Sequence, residues 1–335
     1  MKHIIAIDLG GTSCRAALLD AHGNVMLCNV LETLPNAAHL EKQLLSIIER
    51  IRQQHRATEV AVAAVCVGFP GVVDPQTYAI RQAPNIAGID KVDLKDRLTR
   101  SVGIPVLLEN DTNLGAVAEW SVRGESAPNS LVFMALGTGF GGGIILQGTL
   151  WRGHSGGAGE ICNMGLSGHS QRALAQLGCD ASTWTTEDLV SGRGISELYR
   201  LLCAAEPSGL PGILADWLHP PVATNHRHVP EIFAAAQDNE PVAVRCVHIV
   251  TQELAYAIGH IHHLINPEMY VLAGGIGART EFIQAVNLRL LDMGIVVEAS
   301  HFRGGGGGQS LRDLPTASLA GAAIQCLAYL NAAQP

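Results

Sequence analysis

Two stretches of this chain follow one plan, and that plan limits the possible folds more than any other feature. Residues 4–20 read IIAIDLGGTSCRAALLD, and residues 132–148 read VFMALGTGFGGGIILQG. Each is an apolar run, a Gly/Thr turn and a second apolar run, the pattern of strand, tight turn and strand. In the first copy the turn DAHGN (Asp20 to Asn24) leads to a third run, Asn24 to Leu31, and in the second copy Leu150 starts one. Three short strands in succession predict an antiparallel meander. The likeness is one of pattern rather than identity, and it predicts two lobes. A chain of 335 residues, 47% of them apolar, is long for one domain and has ample material for two cores.

The periodicity between and after these units alternates helix and strand. Leu40, Leu44, Ile47, Ile48 and Ile51 share one helical face, and Val60 to Val67 is continuous enough for a buried strand. Val92 to Arg100 reads as a helix, Pro105 to Leu108 as a strand, and Thr112 to Arg123 as a helix opened by Asp111. Helical patterns recur over Thr186 to Cys203 and Glu240 to Ile265. Met269 to Leu272 is a strand running into Gly274-Gly275, and Ser318 to Leu330 is an Ala/Leu-rich closing helix expected to pack back onto the first lobe. Segments 206–230 and 301–315 read as loops, the second containing the run Gly304 to Gly308.

Charge and cysteine usage narrow the function. Twenty-two Lys and Arg against 30 Asp and Glu give a formal charge of −8 with no basic block, which argues against nucleic acid and against an anionic membrane. No apolar run is long enough to span a bilayer, and Asp8 interrupts the N-terminal one, so no signal peptide is expected. Eight scattered cysteines with no CxxC pair predict reduced thiols and a cytoplasmic location.

Chemistry concentrates at the turns. Asp8, Gly10, Gly11 and Thr12 sit where a strand delivers backbone N–H groups and a hydroxyl to a point clear of bulky side chains, which is either an ordinary hairpin or a phosphate turn. Asp8 is the candidate Mg²⁺ ligand, directly or through water. Gly137, Thr138 and Gly139 repeat the device, and one such turn per lobe suits a nucleotide held between lobes. Asp111 follows the strand PVLLE and is either a helix N-cap or a general base for a hydroxyl attacking phosphorus. Gly274-Gly275 is either a plain β–α turn or a place where a base or ribose meets the backbone. The histidines at 260, 262 and 263, and those at 226 and 228, complete no recognisable metal set.

The residues that carry these turns resemble the ROK family of sugar kinases and sugar-responsive repressors, within the actin–hexokinase–heat-shock ATPase superfamily. The marks are IAIDLGGT (4–12 with its preceding Ile), VGFPGVVD (67–74), APN (83–85), ENDTN (109–113), LGTGFGGGI (136–144), GGAGEI (156–161), SGRGI (191–195), INPEMYVLAGGI (265–276) and LAGAA (319–323), nine motifs in family order over nearly the whole chain. The resemblance implies an α/β, two-lobed ribonuclease-H-like (actin/hexokinase) ATPase fold with a cleft between lobes. The expected N-terminal lobe is 1–117 with the closing helix 317–332, and the C-terminal lobe is 118–316.

It also implies a free hexose as substrate, phosphorylated from ATP with Mg²⁺ at the 6-hydroxyl, and a homodimer. Glucose is the first expectation; allose, mannose, fructose and N-acetylmannosamine stay open. Asp111 matches the catalytic base, and Asn85, Asn110, Glu160 and Glu187 match sugar-contacting positions. Gly11, Thr12, Gly137 and Thr138 match the phosphate turns, and Gly274-Gly275 the adenosine motif. Two departures stand out. Where the family has Glu-x-Gly-His, this chain has Glu160-Ile161-Cys162-Asn163, so Asn163 takes the histidine's place as a hydroxyl contact that does not titrate. Where the family has a cysteine-rich zinc loop, only His169 and Cys179 remain, so no structural zinc is expected. Three rival readings stay open. One is a repressor, which is not expected because Met1 stands directly before the first strand where such relatives carry a helix-turn-helix, and because the chain is acidic. The second is a noncatalytic sugar binder, and the third a nonsugar acyl kinase of the same superfamily.

Overall fold

A computed structural model describes residues 2–10, 13–33, 37–54, 61–83, 86, 88–89, 92–205, 229–302 and 310–332. The described residues form two compact units. One comprises 1–133, 143–159 and 301–335, and the other 134–142 and 160–300. The stretches 118–133, 143–159 and 301–316, which the sequence-based division gives to the second lobe, therefore cluster with the first unit.

The repeated plan is realised as two five-stranded sheets of matching order. The first contains β1 (His3–Leu9), β2 (Ser13–Leu19), β3 (Val25–Glu32), β4 (Val62–Phe69) and β7 (Val106–Asn110), ordered β3-β2-β1-β4-β7. Strands β1 to β3 form the antiparallel meander, and β4 and β7 add in parallel. Asp20 closes the β2–β3 turn, its Oδ1 accepting from the backbone N–H groups of His22 (2.8 Å) and Asn24 (2.9 Å). The second sheet contains β8 (Ser130–Leu136), β9 (Phe140–Leu146), β10 (Thr149–Leu150), β11 (Met269–Ala273) and β12 (Val297–Ala299), ordered β10-β9-β8-β11-β12. A small hairpin of β5 (Val72–Val73) and β6 (Ile80–Gln82) was not legible in the sequence pattern.

In the first unit, α1 (Ala37–Gln54) buries Leu40, Leu44, Ile47, Ile48 and Ile51, the face that the periodicity marks. With α2 (Leu94–Val102) it covers one face of the sheet. The other face carries α3 (Asp111–Ser121) and the closing helix, which packs on α3, β1 and β4. Gly321 sets the contact with α3, where a Cβ would lie 2.0 Å from the Leu114 carbonyl oxygen; on another side of α3, a Cβ on Gly115 would lie 2.5 Å from the Phe133 ring of β8. Only hydrogen fits at either point.

The second unit has α4 (Gly168–Gln176), α5 (Thr186–Val190), α6 (Gly192–Ala205), α7 (Val229–Gln237), α8 (Pro241–Ile265), α9 (Gly274–Gly277) and α10 (Thr280–Leu290); the closing helix is α11 (Ala317–Ala332). The single helix expected over 186–203 is two helices broken at Ser191. Ser191 is extended (ψ 165°), its N–H closes α5 on Glu187, and its hydroxyl accepts from Gly194 N–H at 3.2 Å. Gly194 permits the sharp turn, because a Cβ there would meet the Asp188 carbonyl oxygen at 2.3 Å. Within the expected loop 301–315, Leu311–Asp313 forms a short helical turn capped by Ser310, and the glycine run lies outside the described residues. Among the described residues no helix is long and apolar enough to cross a membrane.

Candidate active site

In the first unit the parallel strands β1, β4 and β7 end at one edge of the sheet. Their register aligns Asp8 with Gly68 and Gly68 with Glu109. At about 4.8 Å between strands, Asp8 and Glu109 stand roughly 10 Å apart on that edge, where open α/β sheets bind ligands. Asp8 is buried, and its Oδ2 accepts from the Thr316 hydroxyl at 2.7 Å, with Arg15 farther off at 3.8 Å. Thr316 also caps α11 by accepting from Leu319 N–H. The Gly10 turn closes through Gly10 N–H to Ser13 O (2.9 Å) and the Thr33 hydroxyl to Gly10 O (2.7 Å). Gly11, Thr12 and Asn85 lie outside the described residues. A lone carboxylate with one oxygen held by a hydroxyl suits Mg²⁺ bound through water, since Mg²⁺ takes few carboxylates and retains its waters.

Asp111 begins α3, but the cap is Asn110. The Asn110 Oδ1 accepts from Asn113 N–H (2.9 Å) and from the Thr112 hydroxyl (2.7 Å), and its Nδ2 donates to Gly71 O (3.0 Å). The N-cap reading of Asp111 is thereby corrected: the neighbouring amide does that work, and the Asp111 Oδ1 accepts from Thr112 N–H at 2.8 Å. Glu109, buried, accepts from Asn110 N–H and Asn113 Nδ2, both at 3.0 Å, and from Arg152 Nε at 2.6 Å. Arg152 thus fastens the junction that presents Asp111.

In the second unit the Gly137-Thr138-Gly139 turn closes through Gly137 N–H to Gly139 O (2.9 Å), and the first N–H of α6, at Gly192, donates to Gly137 O (2.8 Å). Gly274 crosses directly over the strand end before this turn: its φ is +83°, and a Cβ there would lie 2.2 Å from Leu136 O. The two glycine motifs predicted for phosphate and adenosine are therefore neighbours. A Cβ on Gly139 would meet the Glu187 Oε1 at 2.9 Å, so the second sugar-site candidate adjoins the same turn.

Glu160, Asn163 and Glu187 also lie in this unit. Ile161–Asn163 forms a short helical turn, and the Glu160 Oε2 accepts from Cys162 Sγ (3.4 Å) and Asn163 Nδ2 (3.5 Å). Burial pushes the Glu160 carboxyl above its usual range, partly offset by the Cys162 thiol. Burial likewise raises Glu187, against the pull of Arg193, whose Nη2 lies 3.1 Å from Glu187 Oε1. The sequence reading missed Thr316, Arg152 and Arg193. Thr316 stands directly before an Ala-rich helix, an N-cap signature; nothing in the sequence pairs Arg152 with Glu109, 43 residues away. Among the described residues no group of three or more His, Cys, Asp or Glu side chains is placed to hold a metal ion.

Residues 4–293 match the model of the ROK family. The chain belongs to the ROK family. It is 28% identical over 280 residues to the glucokinase of Streptomyces coelicolor, covering 83% of this chain and 84% of that protein. It is 30% identical over 280 residues to the N-acetyl-D-glucosamine kinase of Haemophilus influenzae, covering 81% and 83%. The solved structure of a ROK family glucokinase from Streptomyces griseus, in complex with glucose and AMPPNP, superposes with a TM-score of 0.71 at 24% identity, over 96% of this chain and 98% of that one. The ROK fold is the actin/hexokinase-like one, and the two mixed sheets described above are its α/β layers.

Proposed function

We propose that this ROK chain, an ATP-dependent sugar kinase, transfers the γ-phosphoryl group of ATP to the 6-hydroxyl of a free, glucose-like hexose. The observation that carries the reading is the edge of the first sheet, where Asp8 and Asp111 come to the same strand ends and Asn110 supplies the helix cap in place of Asp111. Asp111 is the general base: it takes the hydroxyl proton as the sugar oxygen bonds to the γ-phosphorus, the bond to the β-phosphate oxygen breaks, and ADP leaves. Asn85, Asn110, Glu160, Asn163 and Glu187 hold the sugar hydroxyls through forked and charge-assisted hydrogen bonds. Asn110 has one Nδ2–H beyond its bond to Gly71, which limits it to a single donated bond.

The backbone N–H groups of Gly11 and Gly139 and the hydroxyls of Thr12 and Thr138 would face the phosphates, in turns that the Gly10 and Gly137 N–H groups close, and Gly274-Gly275 would meet the adenosine. Asp8 would hold Mg²⁺ through water; the ion supplies positive charge to the transferring phosphates. A homodimer is part of the proposal, supported by the exposed Tyr256, Leu288, Leu291 and Met293 of the second unit, as is a cytoplasmic location.

The test is ADP release from Mg²⁺·ATP across a panel of hexoses and N-acetylhexosamines, with Asp111→Asn as control. The expected result is turnover with one sugar, reduced about 10²–10⁴-fold by the substitution. Turnover that survives Asp111→Asn refutes the assigned base. ATP binding without turnover on any sugar favours the noncatalytic sugar binder.

A further inference from the structure

The segment that carries Glu160 and Asn163 hangs from one buried carboxylate far along the chain. Glu253, on α8, is fully buried. Its Oε1 accepts from Ser167 N–H at 3.0 Å, and its Oε2 accepts from the same N–H at 3.2 Å and from the Ser167 hydroxyl at 2.7 Å. No Lys, Arg or His among the described residues forms an ion pair with it. Ser167 is at the same time the N-cap of α4: its Oγ accepts from Ser170 N–H at 3.1 Å and lies 3.2 Å from the Ser170 hydroxyl. Ser167 and Ser170 are buried as well. The enclosed carboxyl group has both oxygens met by Ser167, the residue that opens a nine-residue helix. A buried polar group of this kind adds little net stability, which leaves the placing of Ser167 as what the arrangement supplies.

The geometry it fixes leads to both candidate sugar carboxylates. Three residues before Ser167, the Met164 carbonyl accepts from Thr186 N–H at 2.7 Å and from the Thr186 hydroxyl at 3.1 Å. Gly165 pairs with Thr185 in an isolated antiparallel bridge. Thr185 and Thr186 open α5, whose next residue is Glu187, and the capping box of Thr185 with Asp188 holds that opening rigid. On the other side of Met164 lies the turn that contains Asn163, after Glu160. Residues 164–167 are thus a short strip fastened at one end to Glu253 and at the other to the root of Glu187, with Glu160 and Asn163 leading into it.

We propose that Glu253 is a positioning residue for sugar binding, acting through Ser167 to set the places of Glu160, Asn163 and Glu187. This rests on the reading of those three as sugar contacts. It predicts a selective defect, because a displacement of about 1 Å in positioned groups costs up to 10²-fold, while the Gly137 and Gly274 turns are held by other bonds.

The test compares Glu253→Ala, Glu253→Gln and Ser167→Ala by amide hydrogen exchange and by steady-state kinetics. Expected are faster exchange at 163–167 and 185–188, a KM for the sugar raised about tenfold or more, an unchanged KM for ATP, and partial rescue in Glu253→Gln, which keeps one acceptor for Ser167. If Glu253→Ala fails to fold, Ser167→Ala, which removes the hydroxyl bond and with it the α4 cap but keeps the backbone bond to Glu253, carries the same comparison. Unchanged exchange at both segments overturns the proposal, and so does a parallel rise of both KM values. Exchange of the wild-type protein with and without hexose separates the two layers. If added sugar protects neither segment, the sugar-site reading has failed, whereas the exchange of the variants still decides whether Glu253 holds the strip.

Discussion

Alanine at Gly274 and at Gly275 should differ sharply in their effect on stability, although the two glycines are adjacent and share one motif. At Gly274 the backbone is left-handed, φ +83°, which costs a side-chain-bearing residue about 1–2 kcal/mol. Its Cβ would also sit 2.2 Å from the Leu136 carbonyl oxygen and 2.8 Å from the carbonyl carbon. Ordinary contact near 3.5 Å is restored only if two backbone segments part by more than about 1 Å, and forced repacking of this kind costs about 1–3 kcal/mol. The sum is about 2–5 kcal/mol. At Gly275 no heavy atom lies within 4 Å of the Cβ position and φ is not positive, so stability should stay within about 0.5 kcal/mol. Thermal unfolding reads the difference. At roughly 2–4 °C per kcal/mol, Gly274→Ala should lose about 4–20 °C and Gly275→Ala no more than about 2 °C. In ATP kinetics, Gly274→Ala should also suffer because Leu136 leads directly into the Gly137 turn. Gly275→Ala should raise the KM for ATP without touching that for the sugar, since its open side is where an adenosine would lie. Equal melting temperatures for the two variants refute the steric argument; an unchanged KM for ATP in Gly275→Ala refutes the nucleotide assignment.

The remaining predictions concern acid, charge and a helix contact. Burial raises both Glu160 and Glu187, and their proposed role as charge-assisted acceptors for sugar hydroxyls needs the ionised forms. The kcat/KM for the sugar should therefore fall on acidification starting above pH 4.5, the ordinary Glu value; a profile flat down to that pH contradicts it. For stability, a carboxyl whose folded pKa exceeds its unfolded one contributes below the unfolded value and loses that contribution as pH rises through the folded one. Glu160→Gln should accordingly raise Tm at neutral pH, with the gain vanishing in acid, while sugar affinity is lost. Gly321→Ala should lower Tm even though alanine favours a helix by about 1 kcal/mol over glycine, because its Cβ would stand 2.0 Å from Leu114 O; a rise in Tm shows that α3 and α11 part freely.

What the sequence made legible is what local pattern encodes. The meander Ile4 to Leu31, the buried face of α1 and the closing helix follow from periods of 2 and 3.6, and the family from nine motifs in order. The positions of Asp8 and Asp111 were legible because each is a carboxylate where an apolar run stops, and the structure has them at the ends of β1 and β7. The break at Ser191 was hidden because Leu189, Val190, Ile195 and Leu198 keep an almost unbroken apolar spacing through it. Only the approach of Gly194 to the Asp188 carbonyl reveals it, and that is a contact rather than a pattern. The partners Arg152–Glu109 and Ser167–Glu253 were hidden for a similar reason. Long-range pairing is fixed by sheet order and helix packing, which no short window contains.

The matching order of the two sheets gives a physical account of how one plan serves two chemistries. Aligning 4–20 with 132–148 sets Leu136 opposite Asp8. In the first sheet that strand end carries a carboxylate, and its parallel neighbours deliver Gly68, Glu109 and Asn110, with Asp111 just beyond: an edge of the kind that the proposed cation and proton-transfer roles require. In the second sheet the same position is apolar, and the neighbouring strand β11 delivers Gly274, whose missing Cβ lets it lie against the Leu136 backbone. That edge offers bare backbone instead, which suits phosphate and ribose, ligands recognised by N–H groups and close approach. A carboxylate at 136 would place a negative charge beside the turn proposed for phosphate, and a leucine at 8 would leave the other edge without its proposed cation ligand. The substitution Leu136→Asp, with its added charge two residues from Thr138, should therefore weaken ATP binding more than sugar binding; equal losses in both would mean that the two edges are not divided by charge in this way.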